Sequence, residues 1–141
     1  STKGILMQDG SLKTYFANNA LIGSNSYIVI RHRNSVSTWS ANPVMILPVM
    51  SYTFYDAANK AYGSNQVEIS DQSGIVFAIY SGEFNHDDNI DLVDNISLEN
   101  STNNFEIGYL NTDLNGDGNV DLLDNPILDE NIINFIFSQH P

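Results

Sequence analysis

The chain has no cysteine and only five basic residues, and no apolar run approaches membrane-spanning length. The first absence excludes disulfides and thiol chemistry but leaves the redox compartment open, because a domain of 141 residues can bury a core without staples. The third argues against membrane insertion, which takes about 20 consecutive apolar residues. Scarcity of positive charge, at a net charge of −12, argues against nucleic acid and acidic membrane surfaces as partners. No basic start followed by an apolar run precedes "STKGILMQDG", so a secreted form would be expected to be processed.

The charges that are present are unevenly spread. Lys3, Lys13, Arg31, Arg33 and Lys60 all lie in the first sixty positions, whereas thirteen of the seventeen acids lie from Glu83 onward. The division predicts two units, residues 1–81 and 82–141. In the first, runs rich in β-branched and aromatic residues ("GILMQ", "LKTYF", "SYIVIRHR", "VMILPV", "SYTFY", "NQVEI", "GIVFAIY") alternate with turn residues. Asp9-Gly10 suits a hairpin turn, and Pro43 and Pro48 suit strand ends. Six or seven strands packed as a small β-sandwich are expected, with Tyr27, Trp39 and Phe77 as core or strand-face aromatics rather than a ligand platform, and a partly open barrel is the alternative. Arg31, His32 and Arg33 read as strand-end residues that are solvated or face the acidic half.

The second unit is an internal repeat with an offset of thirty. "EFNHDDNIDLVDNISLENSTNNF" (83–105) aligns without gaps on "DLNGDGNVDLLDNPILDENIINF" (113–135), polar on polar and apolar on apolar. Each copy reads as an acidic loop, a short helix and a closing aromatic. So many carboxylates within twelve residues repel one another unless a cation neutralises them. Calcium takes six to eight oxygens, and a twelve-residue EF-hand loop supplies them from positions 1, 3, 5, 7, 9 and 12. In the second copy these are Asp113, Asn115, Asp117, Asn119 (through its carbonyl), Asp121 and Asp124, with Gly118 at the sharp sixth position. In the first they are Glu83, Asn85, Asp87, Asn89, Asp91 and Asp94, with Asp88 in place of the glycine, a left-handed position that costs a non-glycine residue about 1 kcal/mol. Two calcium ions are expected, the first held less tightly; magnesium, which prefers water and strict octahedral geometry, fits less well. Ile90 and Val120, at position 8, should point inward. Pro126 places the start of the second helix near Asn125. Leu92, Val93, Ile96, Leu122, Leu123, Ile127 and Leu128 should be core contacts between the copies.

A loop followed by a single helix, duplicated, with "DLNGDGNVDLLD" and Asp at the twelfth position, resembles the dockerin family of bacterial calcium-binding modules over residues 83–135. That resemblance implies folding on two calcium ions and anchoring of a secreted protein to a partner. The short helices lack the paired small or hydroxyl residues that cohesin-binding helices usually present, which argues against cohesin as that partner. "SYIVIRHRNSVSTWSANPV", "YTFYDAANKAYGSN", "GIVFAIYSGEFN" and "NTDLNGDGNVDLLD" also resemble a module near the C-termini of large secreted and surface-attached bacterial proteins. There a small β domain runs into a duplicated calcium unit, with further strands upstream that this chain would lack.

The resemblance implies an extracellular, bacterial cell-surface location and a structural or adhesive role without catalytic residues. The function expected is thus a calcium-stabilised structural module, a fibre subunit that self-associates by strand complementation into a homopolymer. The alternative is a calcium-dependent module anchoring a larger protein to another surface protein. The first needs self-complementary β edges, the second an exposed apolar helix face. Catalysis is not expected: His32, His86 and His140 have no partner cysteine, no serine lies in a Gly-x-Ser-x-Gly elbow, and each loop acid already has a place in a calcium loop.

Overall fold

The thirty-residue repeat governs the backbone as well as the sequence. The computed structural model describes residues 2–5, 7, 11–15, 19–71 and 74–141. From 82 to 107, every residue has the same degree of burial as its counterpart thirty positions later. Each copy carries one helix, α1 at Leu92–Asn103 and α2 at Asn125–Ile133. α2 begins where Pro126 requires, since proline at the first turn forfeits an N–H that has no intrahelical partner anyway. Both helices end on a phenylalanine in the left-handed region, Phe105 and Phe135, each at φ 52.

The copies are joined by exchange. Loop 1 pairs with the segment that follows α2, through Ile90 N–H to Ile136 O (3.0 Å) and Ser138 N–H to Asp88 O (2.7 Å). Loop 2 pairs with the segment after α1, through Val120 N–H to Glu106 O (3.0 Å) and Gly108 N–H to Gly118 O (2.8 Å). The two halves are therefore related by a pseudo-dyad, and neither completes its hydrogen bonds alone. Ile90, Val120, Leu98 and Leu128 meet on that axis. Leu98 and Leu128 are fully buried, and Ile90 and Val120 point inward as position 8 demands.

The remaining apolar residues of the repeat correct the expected inter-copy core. Leu92, Val93, Ile96, Leu122 and Leu123 are exposed; Leu128 is buried and Ile127 half-buried. The inward stripe of α1 runs through Asp94, Leu98 and Ser101, so the loop-closing carboxylate occupies the turn that Val93 and Ile96 would otherwise share. The two closing aromatics face outward as well, Phe105 being 85% and Phe135 83% exposed.

The first piece is not a β-sandwich. Among the described residues its strands are β1 (Asn25–Ser26), β2 (Val29–Ile30), β3 (Thr38–Trp39), β4 (Val44–Met45), β5 (Val67–Asp71) and β6 (Gly74–Ala78). They form three separate antiparallel pairs, β1 with β4, β2 with β3, and the hairpin of β5 with β6. Beside the two helices they make a mixed α and β structure rather than a mainly β one. The reason is the distribution of apolar side chains. A sandwich needs two inward apolar faces, yet among the described residues before Ser81 only Val36 and Ala61 are buried and apolar. Met45, Leu47, Val49, Ile69 and Ile75 are exposed, and Tyr27, Trp39 and Phe77 only half-buried. Tyr27 meets the Trp39 and Tyr62 rings edge-on at centroid distances of 6.0 and 6.4 Å. The hairpin expected at Asp9-Gly10 lies outside the described residues.

What the first piece does bury is a strap. Asn34, Ser35, Val36, Ser37 and Thr38 are consecutive buried residues lying against the repeat unit. Val36 enters the pseudo-dyad core with Ile90, Leu98, Val120 and Leu128. The strap's polar groups are matched on either side: Val36 N–H to Tyr80 O (3.2 Å), Gly82 N–H to Asn34 O (2.7 Å), Asn34 Nδ2 to Asn111 O (3.0 Å) and Ser138 Oγ to Ser37 O (2.6 Å). Arg33 faces the acidic half, its guanidinium donating to Leu110 O and lying over the Tyr109 ring.

Candidate metal centre

Each loop is shaped by its own side chains before any ion is considered. At position 1, Asp113 accepts Gly116 N–H (2.8 Å) and Gly118 N–H (3.1 Å); Glu83 accepts the N–H groups of His86 and Asp87. At position 5, Asp117 accepts Asn119 N–H (2.8 Å) and Asp87 accepts Asn89 N–H (2.9 Å). At position 3, Asn115 and Asn85 accept the N–H of Asp117 (2.8 Å) and Asp87 (2.9 Å). Successive short side chains thus curl the backbone by bonding it two to five residues ahead, as Asx turns do.

Position 12 ties loop to helix. Asp124 accepts Leu114 N–H (2.7 Å) and Asn115 N–H (3.0 Å) on one oxygen and Asp121 N–H (3.0 Å) on the other. Asp94 accepts Phe84 N–H (2.7 Å) and Asp91 N–H (3.0 Å). Position 9 turns toward the helix start: Asp91 accepts Val93 N–H (2.7 Å) and Asp121 accepts Leu123 N–H (2.8 Å). Asp91 and Asp94 form a capping box on α1, satisfying backbone N–H groups that the first turn leaves orphaned.

Backbone angles follow the same plan. Gly118 has φ +87, and Asp88, in its place in loop 1, has φ +68. The Asp88 carboxylate receives Ser37 N–H at 3.2 Å, so the residue that strains the loop also tethers it to the strap. Position 4 is left-handed in both copies, at Gly116 (φ 78) and His86 (φ 64), which the EF-hand pattern alone does not require.

Electrostatics separates the inner and outer acids. Glu83, Asp94, Asp113 and Asp124 are buried, and among the described residues only one ion pair forms, His86 Nδ1 to Glu83 Oε2 at 3.5 Å. Burial pushes the Glu83 and Asp94 carboxyls above their ordinary range. Asp87 and Asp117 are held below theirs, chiefly by the N–H groups of Asn89 and Asn119. Burying a carboxylate without a counter-charge costs several kcal/mol. No three carboxylate or imidazole groups converge as a finished metal cluster among the described residues. The donor set nevertheless fits a hard cation: a carboxylate offers about four lone-pair sites, and even Asp124 gives only three to the backbone.

Sequence reasoning missed the strap, Asp88's second role and Tyr109 beside Arg33. Only the left-handed demand at position 6 offered a signal, and only for Asp88. Comparison with protein-family models, with curated proteins and with solved structures gives no match to this chain in any of the three.

Proposed function

We propose that this chain is a non-enzymatic, calcium-stabilised extracellular module whose acidic half is a dockerin-like pair of ion-binding loops. The observation that carries the reading is the burial of the first and twelfth carboxylates of both loops with no Lys or Arg against them. Glu83, Asn85, Asp87, Asn89, Asp91 and Asp94 would hold one ion, and Asp113, Asn115, Asp117, Asn119, Asp121 and Asp124 the other. Bound calcium supplies the positive charge that these carboxylates lack. The chain's own part is to pre-curl each loop, bury its closing acid and bond the loops across the pseudo-dyad. Millimolar extracellular calcium keeps such sites filled even at modest affinity.

Within that reading, anchoring of a larger protein to a surface partner is favoured over strand-exchanged fibres. Leu92 and Val93, which open α1, and Leu122 and Leu123, in the turn just before α2, stand exposed at equivalent positions and give an apolar surface at the two helix starts, the kind of patch that anchoring needs. The acids of the two loops, each with a calcium-loop position, are given no catalytic role.

Titration calorimetry of the metal-free chain tests the reading. Two calcium ions per chain are expected, with a gain of helical circular dichroism that chelator reverses. Absence of binding at millimolar calcium would overturn it. Sedimentation velocity in calcium then separates the roles: a monomer supports anchoring, and chelator-sensitive polymers support the fibre.

A further inference from the structure

The pseudo-dyad makes a departure from symmetry informative, and one such departure lies beside a cleft. A cavity of about 450 Å³ opens on copy 1, lined by Phe84, Ser97, Ser101, Glu106, Tyr109 and the 110–112 turn. The hollow is shallow and largely open to solvent, and its volume is comparable with the about 300–1,000 Å³ of small-ligand sites.

Thirty residues on, the same positions carry Ile127 for Ser97, Asn131 for Ser101, Ile136 for Glu106 and Gln139 for Tyr109. There the Asn131 amide crosses to Ser81 O at 2.7 Å. In copy 1, Ser101 is too short to make that bridge, and the equivalent carbonyl, Asn111 O, is taken instead by Asn34 of the strap. The strap thus satisfies the backbone that α1 leaves unbridged, and the space beside it is polar.

Tyr109 gives the cleft a platform. Its side chain is 80% exposed, yet the Arg33 guanidinium lies 4.0 Å from the ring centroid. That guanidinium is itself fixed on Leu110 O, while its buried Nε–H has no partner. A large ring held in place at the surface, when burial would be favourable, is what a stacking contact requires.

We propose that this cleft binds a hexopyranose unit of a neutral or amine-bearing glycan. The apolar face of a sugar ring stacks on the free face of Tyr109. Its hydroxyls find an acceptor in Glu106, and donors and acceptors in Ser97, Ser101 and Thr112. Arg33, behind Tyr109, is the one cation beside the cleft, and the surrounding half of the chain carries thirteen acids and no lysine or arginine, which disfavours anionic sugars.

The test is a ¹⁵N-resolved NMR titration of the full chain in calcium, with cellobiose, the glucosamine disaccharide of chitosan, and digalacturonate as probes. Saturable shifts at Ser97, Glu106 and Tyr109 are expected with at least one of the first two, and none with digalacturonate. Tyr109→Ala should weaken binding about tenfold, the worth of one aromatic contact. Ser97→Ile, which imports the residue of the other copy, should do likewise while keeping helical circular dichroism and calcium stoichiometry. No saturable shift with either sugar, shifts indifferent to both substitutions, or tightest binding of digalacturonate would each overturn the proposal. None of these outcomes depends on how many calcium ions bind.

Discussion

Copies 82–107 and 112–137 differ in more than half their residues, yet bury the same positions and make equivalent backbone bonds. What they share is a short set of demands: left-handed backbone at positions 4 and 6, an apolar residue at 8, buried acids at 1 and 12, and a leucine four residues beyond. Where they differ is in what touches them. Copy 1 receives the Ser37 N–H on Asp88, the Asn34 amide beside α1, and an open polar cleft; copy 2 bridges its equivalent gap with Asn131. The skeleton is common to both copies, and the rest of the chain touches each differently: Asp88 of copy 1 receives Ser37 N–H, and Phe137 O of copy 2 receives the Asn65 amide.

Four sets of substitutions probe that division. The largest effect is expected from Asp124→Ala, which strips the acceptor from three N–H groups around a fully buried carboxylate. At about 1–3 kcal/mol for each buried group left unpaired, the loss should exceed roughly 3 kcal/mol. Because the copies exchange their pairing, hydrogen exchange should rise in loop 1 as well as loop 2; protection that persists in loop 1 would break the picture of one cooperative unit.

Val36→Ala opens space in the pseudo-dyad core and should cost about 2 kcal/mol in chemical denaturation. A cost near zero would mean that the strap is not part of that core. Phe105→Gly and Phe135→Gly come next. Each removes an exposed ring from φ 52, and each should raise stability by about 1 kcal/mol, equally in the two copies. Unequal thermal shifts would show that one ring is held by something beyond its backbone.

The smallest effect sharpens the comparison most. Gly118→Asp should cost about 1 kcal/mol, because no strap amide waits for its carboxylate. Asp88→Gly should change stability by less than about 1 kcal/mol, since relief of the left-handed backbone offsets loss of the Ser37 bond. Faster amide exchange at Ser37 in that variant would be the signature, and unchanged exchange there would deny the tether.

Much of the acidic half was legible because its demands are local. The offset of thirty, the sixth-position angles, the inward Ile90 and Val120, and the α2 start all follow from residue type and spacing. The exposure of Leu92, Val93, Leu122 and Leu123 did not, because the buried place at each helix start goes to a loop-closing carboxylate, Asp94 or Asp124, which apolar periodicity does not anticipate. The first piece was misjudged for a related reason. Its β-branched runs suggest sheet, but its buried segment is the polar Asn34–Thr38 stretch, whose partners lie as far as a hundred residues away.

The exchanged pairing also sets an order in time. Loop 1 at 83–94 closes its ladder on Ile136 and Ser138, so it must wait for about fifty further residues to be made. Contacts this distant in sequence slow folding, because loop-closure entropy is spent before they form. A chain that stops before Ile136 should therefore leave loop 1 without its cross-copy ladder while loop 2 keeps its own on Glu106 and Gly108. Loop 1 would gain its ladder only once Ile136 and Ser138 have been made, and those two residues act as its latch.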